Sequence, residues 1–127
     1  MERRVVITGL GAVSPIGNNV PDMWESIKNS KSGITNITKF DTSNYTSKVA
    51  GEIKDFSPDK YLEKRESRRM DPFTLYGMVA ALEAMENAGL KIGDYNPEKI
   101  GIILGNGIGG IETLTGAFKR LFGKGPM

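Results

Sequence analysis

An α/β fold follows from three stretches of this 127-residue chain. Val5, Val6 and Ile7 form a short, wholly apolar, β-branched run, the composition of a strand buried on both faces. It enters Thr8-Gly9-Leu10-Gly11-Ala12, where glycines let the backbone turn sharply and come close to whatever it faces. A second such run, Lys99–Leu104 (KIGIIL), enters a second glycine-rich turn at 105–110. Between them lies a long segment whose apolar residues leave hardly any polar face. Strand, glycine turn and helix, met twice, is the pattern by which α/β proteins are built and position ligands.

Taken in order, the elements are these. After the first turn, Pro21 stands at the first position of a helix, with Asp22 and Glu25 in its first turn. Met23, Trp24 and Ile27 share a face at helical spacing, and Ser32-Gly33 ends the segment near Ser30. Residues 34–47, rich in Thr, Asn and Ser, read as a long polar connection. Lys48–Lys54 (KVAGEIK) alternates loosely and reads as a modest strand. Ser57-Pro58-Asp59 opens a short helical turn through Leu62.

The best-marked element begins at Asp71-Pro72, an N-cap followed by proline at the first helical position. It runs to Ala88 and stops at Gly89. From Leu75 to Leu82 its only polar side-chain atom is the Tyr76 hydroxyl, so the helix is expected to be buried rather than to lie on the surface. Gly77, Ala80, Ala81 and Ala84 keep it slim enough for close neighbours on more than one side. After the second strand and turn, a final helix covers about Ile111 to Phe122. Gly123-Lys124-Gly125-Pro126-Met127 is turn chemistry that ordinarily leads into another element, so the chain is expected to be cut there rather than to terminate.

Composition narrows the function. There is room for one domain, and apolar residues (39%) together with 16 glycines are ordinary for a globular α/β protein. A net charge of +2 is too small for wholesale nucleic-acid binding, so any electrostatic function must come from a local cluster. No apolar run approaches the roughly 20 residues of a membrane span, and no signal-peptide pattern precedes the first strand, which makes a cytoplasmic location the expectation. The absence of cysteine removes disulfides, thiolate metal sites and a cysteine nucleophile from these residues. The absence of histidine removes the commonest general base. No metal site and no cofactor are expected.

Three constellations carry chemistry. Gly9-Leu10-Gly11-Ala12-Val13-Ser14 partly matches the dinucleotide fingerprint, with serine at the third glycine. The strand and acidic residue that should follow fall in the polar stretch around 34–38, so a tight turn for close strand–helix packing is the better reading. The turn at 105–110 offers amides that suit an anion or oxyanion, yet Ile108 sets a bulky apolar side chain among its glycines. Simple packing of strand on helix accounts for it equally well. Lys60, Lys64, Arg65, Arg68 and Arg69 outnumber Glu63 and Glu66 just before the start of the 72–88 helix, whose dipole adds positive charge there. If that segment is helical, Arg65, Arg68 and Arg69 share one face and offer bidentate partners to phosphate or carboxylate. A solvated charged surface is the plainer alternative.

The opening VVITGLGAVSPIGN, the segment FDTSNYTSKVAGEIKDF, the block KRESRRMDPF and the turn GNGIGG occur together in an order that resembles the β-ketoacyl synthases, the 3-oxoacyl-[acyl-carrier-protein] synthases. The similarity runs over essentially all of residues 1–127 and is greatest to the type II, elongating branch. It implies a thiolase-like fold of layers helix, sheet, helix, sheet, helix, of which this chain would be the N-terminal portion, an N-terminal domain truncated at its C-terminal end. The implied reaction is a decarboxylative Claisen condensation in fatty-acid elongation. A cysteine takes the acyl chain as a thioester, malonyl-carrier protein loses CO₂, and the carbanion attacks that thioester. Two histidines and backbone amides assist. All these groups fall beyond residue 127 in the family pattern, so no catalytic residue is assigned and the chain alone is expected to be inactive.

The resemblance assigns two features here. Arg65, Arg68 and Arg69 match the basic block that docks the acidic acyl carrier protein near its phosphopantetheine arm, and Ile108 matches the residue that gates the acyl pocket. It further implies a homodimer; from the charge and the lack of a long apolar run, no nucleic-acid or membrane partner is expected. Asn106 departs from the pattern, which more often has a small hydroxyl residue there, and bears on fine pocket shape. A self-contained α/β module binding a nucleotide or anion at its glycine turns is the alternative from a different class.

Overall fold

A computed structural model describes residues 3–91 and 93–125. Pro126 and Met127, part of the turn read at the end of the chain, lie outside the described residues. Helix α1 spans Val20–Lys28; strands β1 (Ile34–Asn36) and β2 (Val49–Gly51) follow, then helices α2 (Lys64–Ser67), α3 (Pro72–Asn87) and α4 (Ile111–Lys124). A single 3-10 turn, Pro97–Lys99, precedes the second glycine-rich turn.

The organising element is α3, and its ends follow the sequence. Asp71 and Pro72 begin it, and Gly89 adopts the left-handed conformation (φ +65°) just past its end. There the N–H of Leu90 donates to Met85 O at 2.9 Å and that of Gly89 to Glu86 O at 3.0 Å, which satisfies carbonyls the last turn would otherwise leave open. Gly77, Ala80, Ala84 and Ala88 recur at spacings of three and four, hence as one stripe. Gly9 and Gly11 lie on the alanines of this stripe, and Leu104 reaches Gly77.

The two apolar runs do not form strands. Residues 5–7 and 99–104 make no ladder, and Val5, Ile7, Ile102 and Ile103 are each more than four-fifths exposed. A strand buried on both faces needs neighbours to take its backbone groups and layers to cover its side chains. The sheet formed among the described residues is the two-stranded β1–β2, so these runs find neither. For the same reason α3 is largely half-buried rather than enclosed. Its one buried side chain is Val79, while Phe73 and Met78 remain over a third exposed.

Strand β1 falls inside the stretch read as a polar connection, and β2 occupies only Val49–Gly51 of the expected Lys48–Lys54. They pair antiparallel with Ile34 opposite Gly51, Thr35 opposite Ala50 and Asn36 opposite Val49. Glu52, just past β2, ties down the start of the connection between the two strands. It is buried, and its carboxylate accepts the Thr38 hydroxyl (2.8 Å) and the N–H groups of Thr38 (3.1 Å) and Lys39 (3.2 Å).

Helix α1 begins one residue earlier than Pro21 implies, because Asn19 is its N-cap and accepts the Asp22 N–H at 2.8 Å. It ends at Lys28, and Ser30 turns the chain with φ +52°. Its buried residue is Ser26, whose hydroxyl donates to Ile16 O at 2.6 Å. Trp24 and Ile27 stay exposed, and of the expected apolar face only Met23 is half-buried. The helical turn from Ser57 forms as read: Tyr61 and Leu62 both donate to Pro58 O at 2.9 Å, and Leu62 is buried. Phe56 meets Tyr76 of α3 edge-on at 4.9 Å. Helix α4 runs two residues past the expected Phe122, and Phe118 and Phe122 stack at 5.9 Å.

Candidate functional site

The basic block winds into a short helix, α2, over Lys64–Ser67. Glu63 is the N-cap of α2, and the winding continues past Ser67 through Arg68 N–H to Lys64 O (3.4 Å) and Arg69 N–H to Glu66 O (3.0 Å). Arg65, Arg68 and Arg69 thus stand at i, i+3 and i+4 of one wound segment and are all exposed. The ion pairs among the described residues are Lys28–Glu25 (2.6 Å) and Lys60–Glu86 (2.7 Å), so none of the three arginines is paired. Lys60, counted with them in the sequence, is spent elsewhere. Its ammonium donates to Glu86 and to the Tyr61 hydroxyl (2.8 Å). The hydrogen bond to Glu86 raises the Lys60 pKa, and the same bond holds the Glu86 carboxyl below its ordinary value.

The glycine turn at 105–110 is closed from within. Asn106 Oδ1 accepts the Gly109 N–H at 3.1 Å, and Gly109 takes φ +76°, a conformation open to glycine. Ile111 N–H donates to Gly109 O at 2.8 Å and starts α4. Ile108 projects at the crest, 80% exposed. Asn106 therefore shapes the turn itself. An Asn three residues ahead of a Gly-Gly pair is the signal that marks it.

The structure brings these two motifs to the same end of α3. Asp71 follows Arg69 by two residues, Gly110 follows Ile108 by two, and the Asp71 carboxylate lies against Gly110 while accepting the Thr113 hydroxyl at 2.5 Å. Neither Asp71 nor Thr113 was distinguishable as a site residue in the sequence, since one reads as an ordinary N-cap and the other as a helical surface position.

The first glycine turn has no anion cradle. Leu10 N–H donates to Asn87 Oδ1 (3.0 Å) and Ala12 N–H to Glu83 Oε2 (2.9 Å), while Glu83 Oε1 takes Val20 N–H (2.8 Å) at the start of α1. A carboxylate therefore occupies the place a phosphate would need. The strand that does exist at 34–36 belongs to an antiparallel pair and ends at Asn36, without the acidic residue of a dinucleotide site. A cleft of about 770 Å³ beside this junction is lined by Lys60, Tyr61, Glu83, Glu86 and Asn87, all of them hydrogen-bonded within the chain. Among the described residues no helix is long and apolar enough to cross a membrane.

Comparison with known proteins places this geometry. The profile of the family described as "Beta-ketoacyl synthase, N-terminal domain" matches residues 2–125. The chain is 49% identical over 124 residues to the 3-oxoacyl-[acyl-carrier-protein] synthase 2 of Staphylococcus aureus (strain N315), covering 98% of this chain and 30% of that protein. To the enzyme of the same name from Vibrio cholerae it is 42% identical over 125 residues, again 98% of this chain and 30% of the relative. It superposes on a type II PKS ketosynthase, solved in complex with its acyl-carrier protein and bound to the hexaketide, with TM-score 0.77 and 30% identity. That match covers 98% of this chain and 33% of the other. The ishigamide ketosynthase/chain length factor gives the same TM-score at 26% identity, over 98% and 31% of the two chains. The chain thus spans about a third of the length of its relatives and holds the corresponding part of their thiolase-like α/β fold.

Proposed function

We infer a function from the premise that this chain belongs to the family of beta-ketoacyl synthase N-terminal domains. Residues 1–127 are the N-terminal part of such a domain. They serve an enzyme that lengthens acyl thioesters by decarboxylative Claisen condensation with malonyl-acyl-carrier protein, in fatty-acid elongation. The chain has neither cysteine nor histidine, so it contributes no thiol nucleophile and no imidazole. Its share is recognition. The complete enzyme works as a cytoplasmic homodimer.

One observation carries this reading: three exposed arginines, without an ion-pair partner among the described residues, lie on the segment that leads into Asp71, whose carboxylate holds Thr113 just after the turn that presents Ile108. Arg65, Arg68 and Arg69 dock the acidic carrier protein, because guanidinium groups on one face pair bidentately with carboxylates and phosphate. Ile108 borders the acyl chain delivered from that dock.

The test is charge reversal of Arg65, Arg68 and Arg69 to Glu in the complete synthase. Carrier-protein affinity should fall by at least about tenfold, mostly in the on-rate, and the wild type's advantage should vanish at high salt. Turnover of a small acyl thioester without carrier should stay near wild type. Equal loss on both substrates would remove docking as the role of the cluster.

A further inference from the structure

We propose that Asp71 and Thr113 are positioning residues that set where Ile108 stands, and thereby which acyl chains the pocket accepts. This rests on the reading of Ile108 as an acyl-pocket residue.

Asp71 is the N-cap of α3, yet its side chain makes no hydrogen bond to its own helix. Such a residue ordinarily spends its carboxylate there, so the departure marks another use. Both oxygens are turned on α4. Oδ1 accepts the Thr113 hydroxyl, and Oδ2 fills the space into which a β-carbon on Gly110 would project. Gly110, the N-cap of α4, has no side chain to offer, so Asp71 supplies the negative charge at that helix start as well as at its own.

What hangs on this contact is the glycine turn. Among the described residues no other hydrogen bond joins residues 105–125 to the rest of the chain. Gly105 and Gly107 have open space around them, and the Asn106–Gly109 bond shapes the turn without anchoring it. The seat of Ile108 relative to α3 is therefore held through Thr113 and Asp71. Asp71 is also two residues from Arg69, so one carboxylate ties the turn to the segment that bears the docking arginines.

The experiment uses the complete synthase with Thr113→Val and Thr113→Ser, read by kcat/KM across acyl-carrier substrates of increasing chain length. Carrier affinity and melting temperature are measured alongside. Thr113→Val, which keeps shape and removes the donor, should change the long-to-short preference several-fold while carrier affinity holds; Thr113→Ser should restore the profile. If Thr113→Val does not fold, Gly110→Ala replaces it, since its β-carbon displaces the carboxylate and the same shift is expected. An unmoved profile, or equal shifts for Val and Ser, overturns the positioning role. Ile108→Phe is the control: if it moves the profile while the Thr113 variants do not, only this inference fails. If it too leaves the profile unmoved, the acyl-pocket reading fails with it.

Discussion

Gly11 and Ala80 meet backbone to backbone: a β-carbon on Gly11 would stand 1.8 Å from the Ala80 carbonyl oxygen. Gly9 is nearly as close to Ala84, and the neighbouring amides of Leu10 and Ala12 reach Asn87 and Glu83 on the same helix. The glycines of the first turn thus exist for close approach, with side-chain acceptors from α3 taking the amides that this approach leaves open.

Gly11→Ala should therefore cost stability by overpacking, on the order of 1–3 kcal/mol, because the obstacle is helix backbone and cannot rotate aside. Thermal or urea unfolding of the complete protein measures it. An unchanged midpoint would mean that the segment at 8–12 does not lie on α3 as described.

Ile108→Phe should leave carrier affinity intact and penalise the longest acyl chains selectively. Overfilling a pocket by one ring corresponds to roughly a tenfold drop in kcat/KM for those substrates, with short chains little affected. Competition between acyl-carrier substrates of different length reads this directly. A uniform drop would assign the residue to folding rather than to the pocket.

Glu52 gives the chain a definite response to acid. The Thr38 hydroxyl, aided by the amides of Thr38 and Lys39 and by the charge of Lys39, holds its carboxyl below the ordinary 4.5, against the opposing effect of burial. With the folded value lowered, its stabilisation is fully present above 4.5 and is lost as pH falls through the lowered value. Glu52→Gln should be less stable at neutral pH and should lose less stability on acidification. Melting curves of both proteins across the carboxylate range test this; parallel pH profiles would show that Glu52 does not hold the start of the β1–β2 connection.

Residues 1–127 expressed alone should neither condense malonyl and acyl groups nor form a covalent acyl-enzyme, because no thiolate is present. They should also associate, since Val5, Ile7, Ile102 and Ile103 stand exposed without strand partners. Sedimentation, mass spectrometry after incubation with acyl-carrier protein, and a melting scan check both. A clean monomer with a sharp transition would contradict the second statement, and any acyl adduct the first.

The elements legible in the sequence are those set by neighbours a few residues away. Asp71-Pro72 and Gly89 bound α3 because caps and chain stiffness are local, and so is the short winding at 64–69, where Arg65 lies in α2, Arg68 caps it and Arg69 follows. The same locality misleads for the runs at 5–7 and 99–104, whose composition states a wish for burial that only other strands can grant. It misses β1 as well, three residues whose pairing depends on β2. The candidate site divides along the same line. Its arginines and Ile108 stand out as residue types, whereas the junction that unites them, Asp71 on Thr113, joins positions 42 residues apart. No local pattern encodes that distance; it is decided when α4 comes to rest against the start of α3, where one carboxylate serves the N-terminal ends of two helices.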